Sequence, residues 1–209
     1  MDVAPRGPLE PLPSPVFGRS WLYLFGAATV GALVVIVASG LVLALKGPLW
    51  WHFTGVGRFF NSIHLWAVEL CFFLIVVHLW AKFWTAAWRE GRAGVWVTGA
   101  IGFLAAVPAA LTGYLSQQNL DAQWLATHAK DAFNSIGAGA FFNVTNFGQM
   151  YSYHVIVLPL ALAVLALAHM RLVRSHGLAP PLAVEPRDGS SNAGAPADPP
   201  HAPSTGPVA

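Results

Sequence analysis

The chain has 209 residues, 56% of them hydrophobic and only 10% charged, with a formal net charge of +2. Soluble domains carry about 25% charged residues, so a water-covered globule is excluded and lipid is the expected solvent; the small net charge excludes a nucleic-acid surface. The single cysteine, Cys71, lies in an apolar run, which excludes an intrachain disulfide and, with no CxxC pattern present, thiolate metal sites.

Residues 1–19 are proline-rich and read as an N-terminal arm. They lack the basic start and apolar stretch of a cleavable signal peptide, so the first hydrophobic helix is expected to act as the insertion signal. Trp21 to Leu45 contains no charge. At about 1.5 Å per residue it crosses a hydrocarbon core of roughly 30 Å. Lys46-Gly47-Pro48 ends it, because proline cannot continue a helix. A second span is expected from Arg58 to Ala87, carrying one carboxylate, Glu69. After a polar turn, Arg89 to Arg92, a third runs from Gly94 to Leu115 with Pro108 inside it as a kink.

Ser116 to Met150 is too polar to span, yet holds Trp124, Phe133, Phe141 and Phe142. The periodicity from Asp121 to Ile136 predicts a short amphipathic helix lying on the membrane surface. The fourth span is expected from Tyr151 to Leu172. Residues 178–209 are rich in Pro, Ala and Ser without hydrophobic periodicity, and read as a disordered tail. The expected fold is an all-α membrane protein, a four-transmembrane-helix bundle over residues 20–177 with an amphipathic surface helix between the third and fourth spans. With the N-terminus in the cytoplasm, eight basic residues (Arg6, Arg19, Lys82, Arg89, Arg92, Arg171, Arg174, Arg187) lie inside and three (Lys46, Arg58, Lys130) outside. That asymmetry puts both termini in the cytoplasm, as an even number of spans requires.

Histidine is costly in lipid and usually faces a partner or cofactor. The second span carries His64 and His78, 14 residues apart; the fourth carries His154 and His169, 15 apart. At about 100° per residue, 14 residues return to within roughly 40° of the starting direction and 15 overshoot by roughly 60°. Both histidines of a span therefore point to broadly the same face, about 21 Å apart in height. The two spans run in the same direction, so His64 faces His154 at the outer level and His78 faces His169 at the inner level. Two facing imidazoles are what a haem iron takes on its two axial positions. Zinc would want three or four ligands at one depth. His52, His128 and His201 lie outside the spans and read as solvated or interfacial. His176, just past the inner end of the fourth span, is solvated or a quinone contact.

Gly26 and Gly40 in the first span, and Gly99 and Gly113 in the third, repeat the 14-residue spacing. A flat ring approaches a helix backbone only where no side chain blocks it, so the four glycines are expected to line two stacked haems; ordinary small-residue helix packing is the alternative. Arg58 either neutralises a haem propionate or anchors its helix at the headgroups.

Ser39-Gly40, Trp96-Val97-Thr98-Gly99, Thr112-Gly113-Tyr114, the HxxVLP run from His154 to Pro159, and RSHGLAP from Arg174 to Pro180 together resemble the N-terminal half of cytochrome b, in its short, split (b-six-like) form. The likeness spans roughly residues 20–182. It implies a quinol-linked electron-transfer subunit with two non-covalent b-type haems: a low-potential one on His64 and His154, a high-potential one on His78 and His169. It implies Lys82 as a basic residue beside the inner haem, although the family's basic residue follows the histidine by three and Lys82 follows His78 by four. The implied partners are quinone, a C-terminal cytochrome b subunit, Rieske iron-sulfur and c-type cytochrome subunits, and a second copy of the complex. The implied place is a bacterial plasma membrane. The sequence departs from the family at Leu115-Ser116-Gln117-Gln118-Asn119, where a Pro-Trp pair is usual near the outer quinol site. It departs again at Leu24, where the split form has a cysteine that attaches an extra haem. Two other functions fit the residues: a haem-bearing membrane anchor of a different oxidoreductase without a Rieske partner, and a transporter or channel using Glu69 and the histidines as a proton path. For Glu69 itself, pairing with a polar neighbour inside the bundle is the expected role.

Overall fold

In the computed structural model, residues 22–177 are described and are almost wholly helical. α1 (Leu22–Lys46) is the first span. Gly47 turns the chain with a left-handed φ of 79°, and Pro48 opens the short helix α2 (Pro48–Phe53), where a missing backbone N–H costs nothing. Thr54 starts α3 (Gly55–Trp84) by accepting the Gly57 backbone N–H at 3.0 Å. α4 (Ala93–Leu115) runs unbroken through Pro108, whose carbonyl accepts the Thr112 hydroxyl at 2.8 Å.

Asn119 caps α5 (Leu120–Ser135) by accepting from the Ala122 N–H at 2.8 Å, and Asn146 caps α6 (Phe147–Ser152) by accepting from the Gln149 N–H at 3.0 Å. α6 continues through a π turn (Tyr153–Val157) into α7 (Leu158–His176), making one helix from Phe147 to His176. Among the described residues, four helices are long and apolar enough to cross a membrane: α1, α3, α4 and α6–α7.

The bundle is two helix pairs rather than one packed core. α1 lies along α3, and α4 lies along α7. Ala32, Ser39 and Leu43 of α1 are buried, as are Ala67, Leu74 and Ala81 of α3, which recur every seven residues. The small residues among them, Ala32, Ser39, Ala67 and Ala81, let membrane helices approach closely where no hydrophobic effect drives them together. The main buried cluster sits instead at the α5 end of the bundle. There Leu115, Val144 and Met150 pack with Phe133, Phe142 and Tyr153. Elsewhere large apolar side chains such as Val34, Trp66, Phe73 and Leu104 face outward, as lipid requires.

The four spans, and a helix between the third and the fourth, stand where the sequence puts them. The fourth starts earlier than Tyr151, at Phe147, because the Asn146 cap lies ahead of the apolar run. Glu69 corrects an expectation. It is exposed, has no hydrogen-bond or ion-pair partner among the described residues, and points away from the bundle. The reason is helical phase: about 100° per residue places it roughly 140° from His64 and 180° from His78. The arm, the tail, His201, Arg6, Arg19 and Arg187 lie outside the described residues.

Candidate functional site

His64 projects from α3 towards His154 of the π turn; the two ring centres are 6.0 Å apart and the planes stand at 88°. Two imidazoles sharing one metal through nitrogens at about 2 Å have ring centres a little over 6 Å apart, so this pair has the separation of an axial ligand pair. His78 and His169 stand at the other level, near enough to interact electrostatically, and Lys82 lies near His78. All four rings are partly buried. No group of three or more metal-ligating side chains exists among the described residues, which leaves pairs and not a zinc-type cluster.

The 15-residue interval between His154 and His169 is reconciled by the π turn. A π turn holds one more residue than the α turn it replaces, so one residue of the interval is absorbed at Tyr153–Val157. The remaining rotation equals that of the 14-residue interval on α3, so the two histidines of each helix are offset by the same roughly 40°.

Each histidine ring rests on a glycine of the neighbouring helix in its own pair. A Cβ on Gly40 would stand 2.9 Å from His64 Cε1, and one on Gly26 would stand 2.9 Å from His78 Cε1. On the other pair, a Cβ on Gly99 would lie 3.1 Å from His169 Cε1, and one on Gly113 would strike the His154 ring. The two 14-residue glycine spacings thus seat imidazoles, which in turn aim them across the gap between the helix pairs.

The far nitrogens are held as well. His64 Nδ1 is 3.0 Å from Ser39 Oγ and 3.1 Å from the Ile36 carbonyl. His169 Nδ1 is 3.1 Å from Thr98 Oγ1. His154 Nδ1 is 2.9 Å from the Ala109 carbonyl. His78 Nδ1 is buried and has no hydrogen-bond partner among the described residues. Metal-ligating histidines generally donate their second ring N–H to such acceptors, which fixes tautomer and orientation. Sequence reasoning missed these acceptors. Their only trace is a hydroxyl residue directly before a glycine, at Ser39-Gly40 and Thr98-Gly99.

Lys82, one turn beyond His78, sets its ammonium 3.8 Å over the Tyr23 ring. Arg58 is exposed at the α5 end of α3. His176 is exposed and turned back on its own helix, with Nδ1 3.0 Å from both Ser175 Oγ and the Leu172 carbonyl. The His128 ring packs against Trp124 on α5, with ring centres 4.1 Å apart and planes tilted by 33°, and the half-buried His52 meets Trp51. The segment after α4 is structural: Gln117 and Asn61 exchange two amide hydrogen bonds of 2.9 Å, tying α3 to the end of α4. Ser116 donates to the Thr112 carbonyl at 2.7 Å, and Asn119 caps α5.

The sequence model of the family described as "Cytochrome b(N-terminal)/b6/petB" matches residues 69–197, which include His78, His154 and His169. Cytochrome b6 of Oltmannsiellopsis viridis is 28% identical over 182 residues, covering 77% of this chain and 85% of its own length. Cytochrome b6 of Pyropia yezoensis is 29% identical and that of Chlamydomonas reinhardtii 26%, with the same coverage. A solved chain of a "Hyperthermophilic respiratory Complex III" superposes with a TM-score of 0.69 at 21% identity. That match covers 83% of this chain and spans about half, 52%, of the other, and it shows a shared fold.

Proposed function

The chain belongs to the cytochrome b N-terminal and b6 family, and from that premise we propose that it is the haem-bearing subunit through which a quinol-linked oxidoreductase complex moves electrons across a membrane. His64 and His154 would hold one b-type haem, and His78 and His169, about 21 Å deeper along the helices, a second. The observation that carries this reading is the facing His64–His154 pair at 6.0 Å. Haem, held there without a covalent bond, supplies a one-electron iron couple at each level. The chain's own residues do the rest. The four imidazoles would hold the two haems, the glycines leave room for the rings to reach across, and acceptors on Nδ1 fix the orientation of His64, His154 and His169. The apolar spans keep water and ions out of the path between the levels.

The α5 end is the outer face in this reading, and both termini are cytoplasmic in a bacterial plasma membrane. The working unit is residues 20–177, with residues 1–19 as an arm and 178–209 as a tail. Lys82 and Arg58 are the cations available to haem propionates, and His176 is the side chain available to a quinone at the inner face. A C-terminal cytochrome b subunit, Rieske and c-type cytochrome subunits, and a second copy of the complex would complete the assembly. The test is a reduced-minus-oxidised spectrum of membranes containing the chain, recorded after a quinol is added. The expected result is reduction of b-type haem, with half the signal lost in His64→Ala or His78→Ala. A purified chain that carries no haem would overturn the proposal.

A second reading, a haem-bearing anchor that serves another oxidoreductase without a Rieske partner, is favoured by one feature. Ser116, Gln117 and Asn119, where the family usually has a Pro-Trp pair, are engaged in helix clamps and caps. Co-purification separates the two: a Rieske subunit in the isolated complex excludes the anchor. Glu69 gives the transporter reading no support, because it faces away from the histidines.

A further inference from the structure

Three of the four histidine seats are near-copies, and one of these three is incomplete; the fourth, Gly113–His154, is tighter and takes its acceptor from the Ala109 carbonyl. The seat distances agree closely: a Cβ on the glycine would stand 2.9, 2.9 and 3.1 Å from Cε1, and 3.4, 3.3 and 3.5 Å from Nδ1, for Gly40–His64, Gly26–His78 and Gly99–His169. In two of these three seats the residue before the glycine is Ser39 or Thr98, and its hydroxyl oxygen lies 3.0 or 3.1 Å from Nδ1. That oxygen is free to accept, because each hydroxyl spends its own hydrogen on a carbonyl of its helix, Val35 at 2.7 Å and Gly94 at 2.9 Å. In the third seat the residue before the glycine is Phe25, and His78 Nδ1 is buried without an acceptor among the described residues.

An imidazole bound to a metal through Nε2 keeps its proton on Nδ1, where it can only donate. Donation to an oxygen makes the ring more basic and favours the more positive, ferric state. We propose that Phe25 tunes the inner haem: by putting a residue without a hydroxyl at the position where the matching seats have Ser39 or Thr98, it leaves His78 the weakest base of the four ligands and raises the reduction potential of the iron that His78 would bind. The inference rests on the haem reading above, and it makes one side chain on α1 a contributor to the potential difference between the levels.

The test compares Phe25→Thr with Phe25→Val in the full chain within its complex, by potentiometric titration of each haem. The two substituents share one shape and differ by the hydroxyl. The inner haem is identified as the signal lost in His78→Ala. One added hydrogen bond is expected to shift the ferric-to-ferrous ratio about fivefold, or about 40 mV at 59 mV per tenfold. The inner potential is therefore lower in Phe25→Thr than in Phe25→Val, and the outer potential is the same in both. Equal inner potentials overturn the proposal. Where the Phe25 variants do not accumulate, Thr98→Val removes the acceptor from the other ligand of the same haem. It is expected to raise the inner potential by a similar amount, and no change there also overturns the idea. A wild-type chain without haem would instead sink the parent reading, which the pigment of the starting material reveals before any variant is made.

Discussion

Adding one methyl group to each seat glycine in turn should produce a graded loss of haem that follows the distances. A methyl on Gly113 would strike His154 Cε1 and lie 2.9 Å from both Nδ1 and Nε2. The ring has little room to retreat, because Nδ1 is bonded to the Ala109 carbonyl at 2.9 Å and, in the proposed reading, Nε2 would face the metal. Methyls on Gly26 and Gly40 would sit 2.9 Å from Cε1, and one on Gly99 at 3.1 Å, where a shift of a few tenths of an ångström relieves the contact. Overpacking of this kind costs roughly 1–3 kcal/mol, and the upper end of that range corresponds to more than a hundredfold weaker cofactor retention. Gly31 and Gly102 have nothing within 4 Å of the added methyl and serve as controls. At these two sites alanine should be neutral or stabilising by up to ~1 kcal/mol. The assay is the haem-to-protein ratio of each purified variant, with its thermal midpoint. The expected order of damage is Gly113→Ala, then Gly26→Ala and Gly40→Ala, then Gly99→Ala, with the controls unharmed. Full haem content in Gly113→Ala, or equal losses at Gly102 and Gly113, would refute the claim that the glycines exist to seat the imidazoles.

Asn61→Leu and Gln117→Leu each strand one half-buried amide and should destabilise by about 1–3 kcal/mol. The double variant should lose less than the sum of the two, which a double-mutant cycle on thermal midpoints would measure. Glu69→Gln should leave haem content and both potentials unchanged, because Glu69 faces away from the histidines; a lost haem or a moved potential in a redox titration would contradict that placement.

The spans were legible because lipid demands long uncharged apolar runs, and their ends fall within a few residues of Gly47, Arg92 and Ser116. The histidine pairs were legible because a 14-residue interval keeps phase on a helix. The 15-residue interval left a residual twist that the sequence did not resolve, since a π turn has no residue signature of its own; its trace was the interval itself. The glycines were recognised by spacing, but what they touch is set by packing between helices far apart in the chain. The reciprocal bonds of Asn61 and Gln117, 56 positions apart, were invisible for the same reason. Glu69 was misjudged because the rarity of carboxylates in lipid suggested a buried partner, whereas its helical phase, computable from the sequence, already placed it opposite His64 and His78.

The most direct measurement is a pyridine haemochrome count on the purified chain and four single variants, His64→Ala, His78→Ala, His154→Ala and His169→Ala. The expected result is two b-type haems per chain and one in every variant, with His64→Ala and His154→Ala losing one spectral component and His78→Ala and His169→Ala the other. Two haems retained in any of the four, or a different pairing of the losses, would contradict the assignment of two axial pairs at two depths.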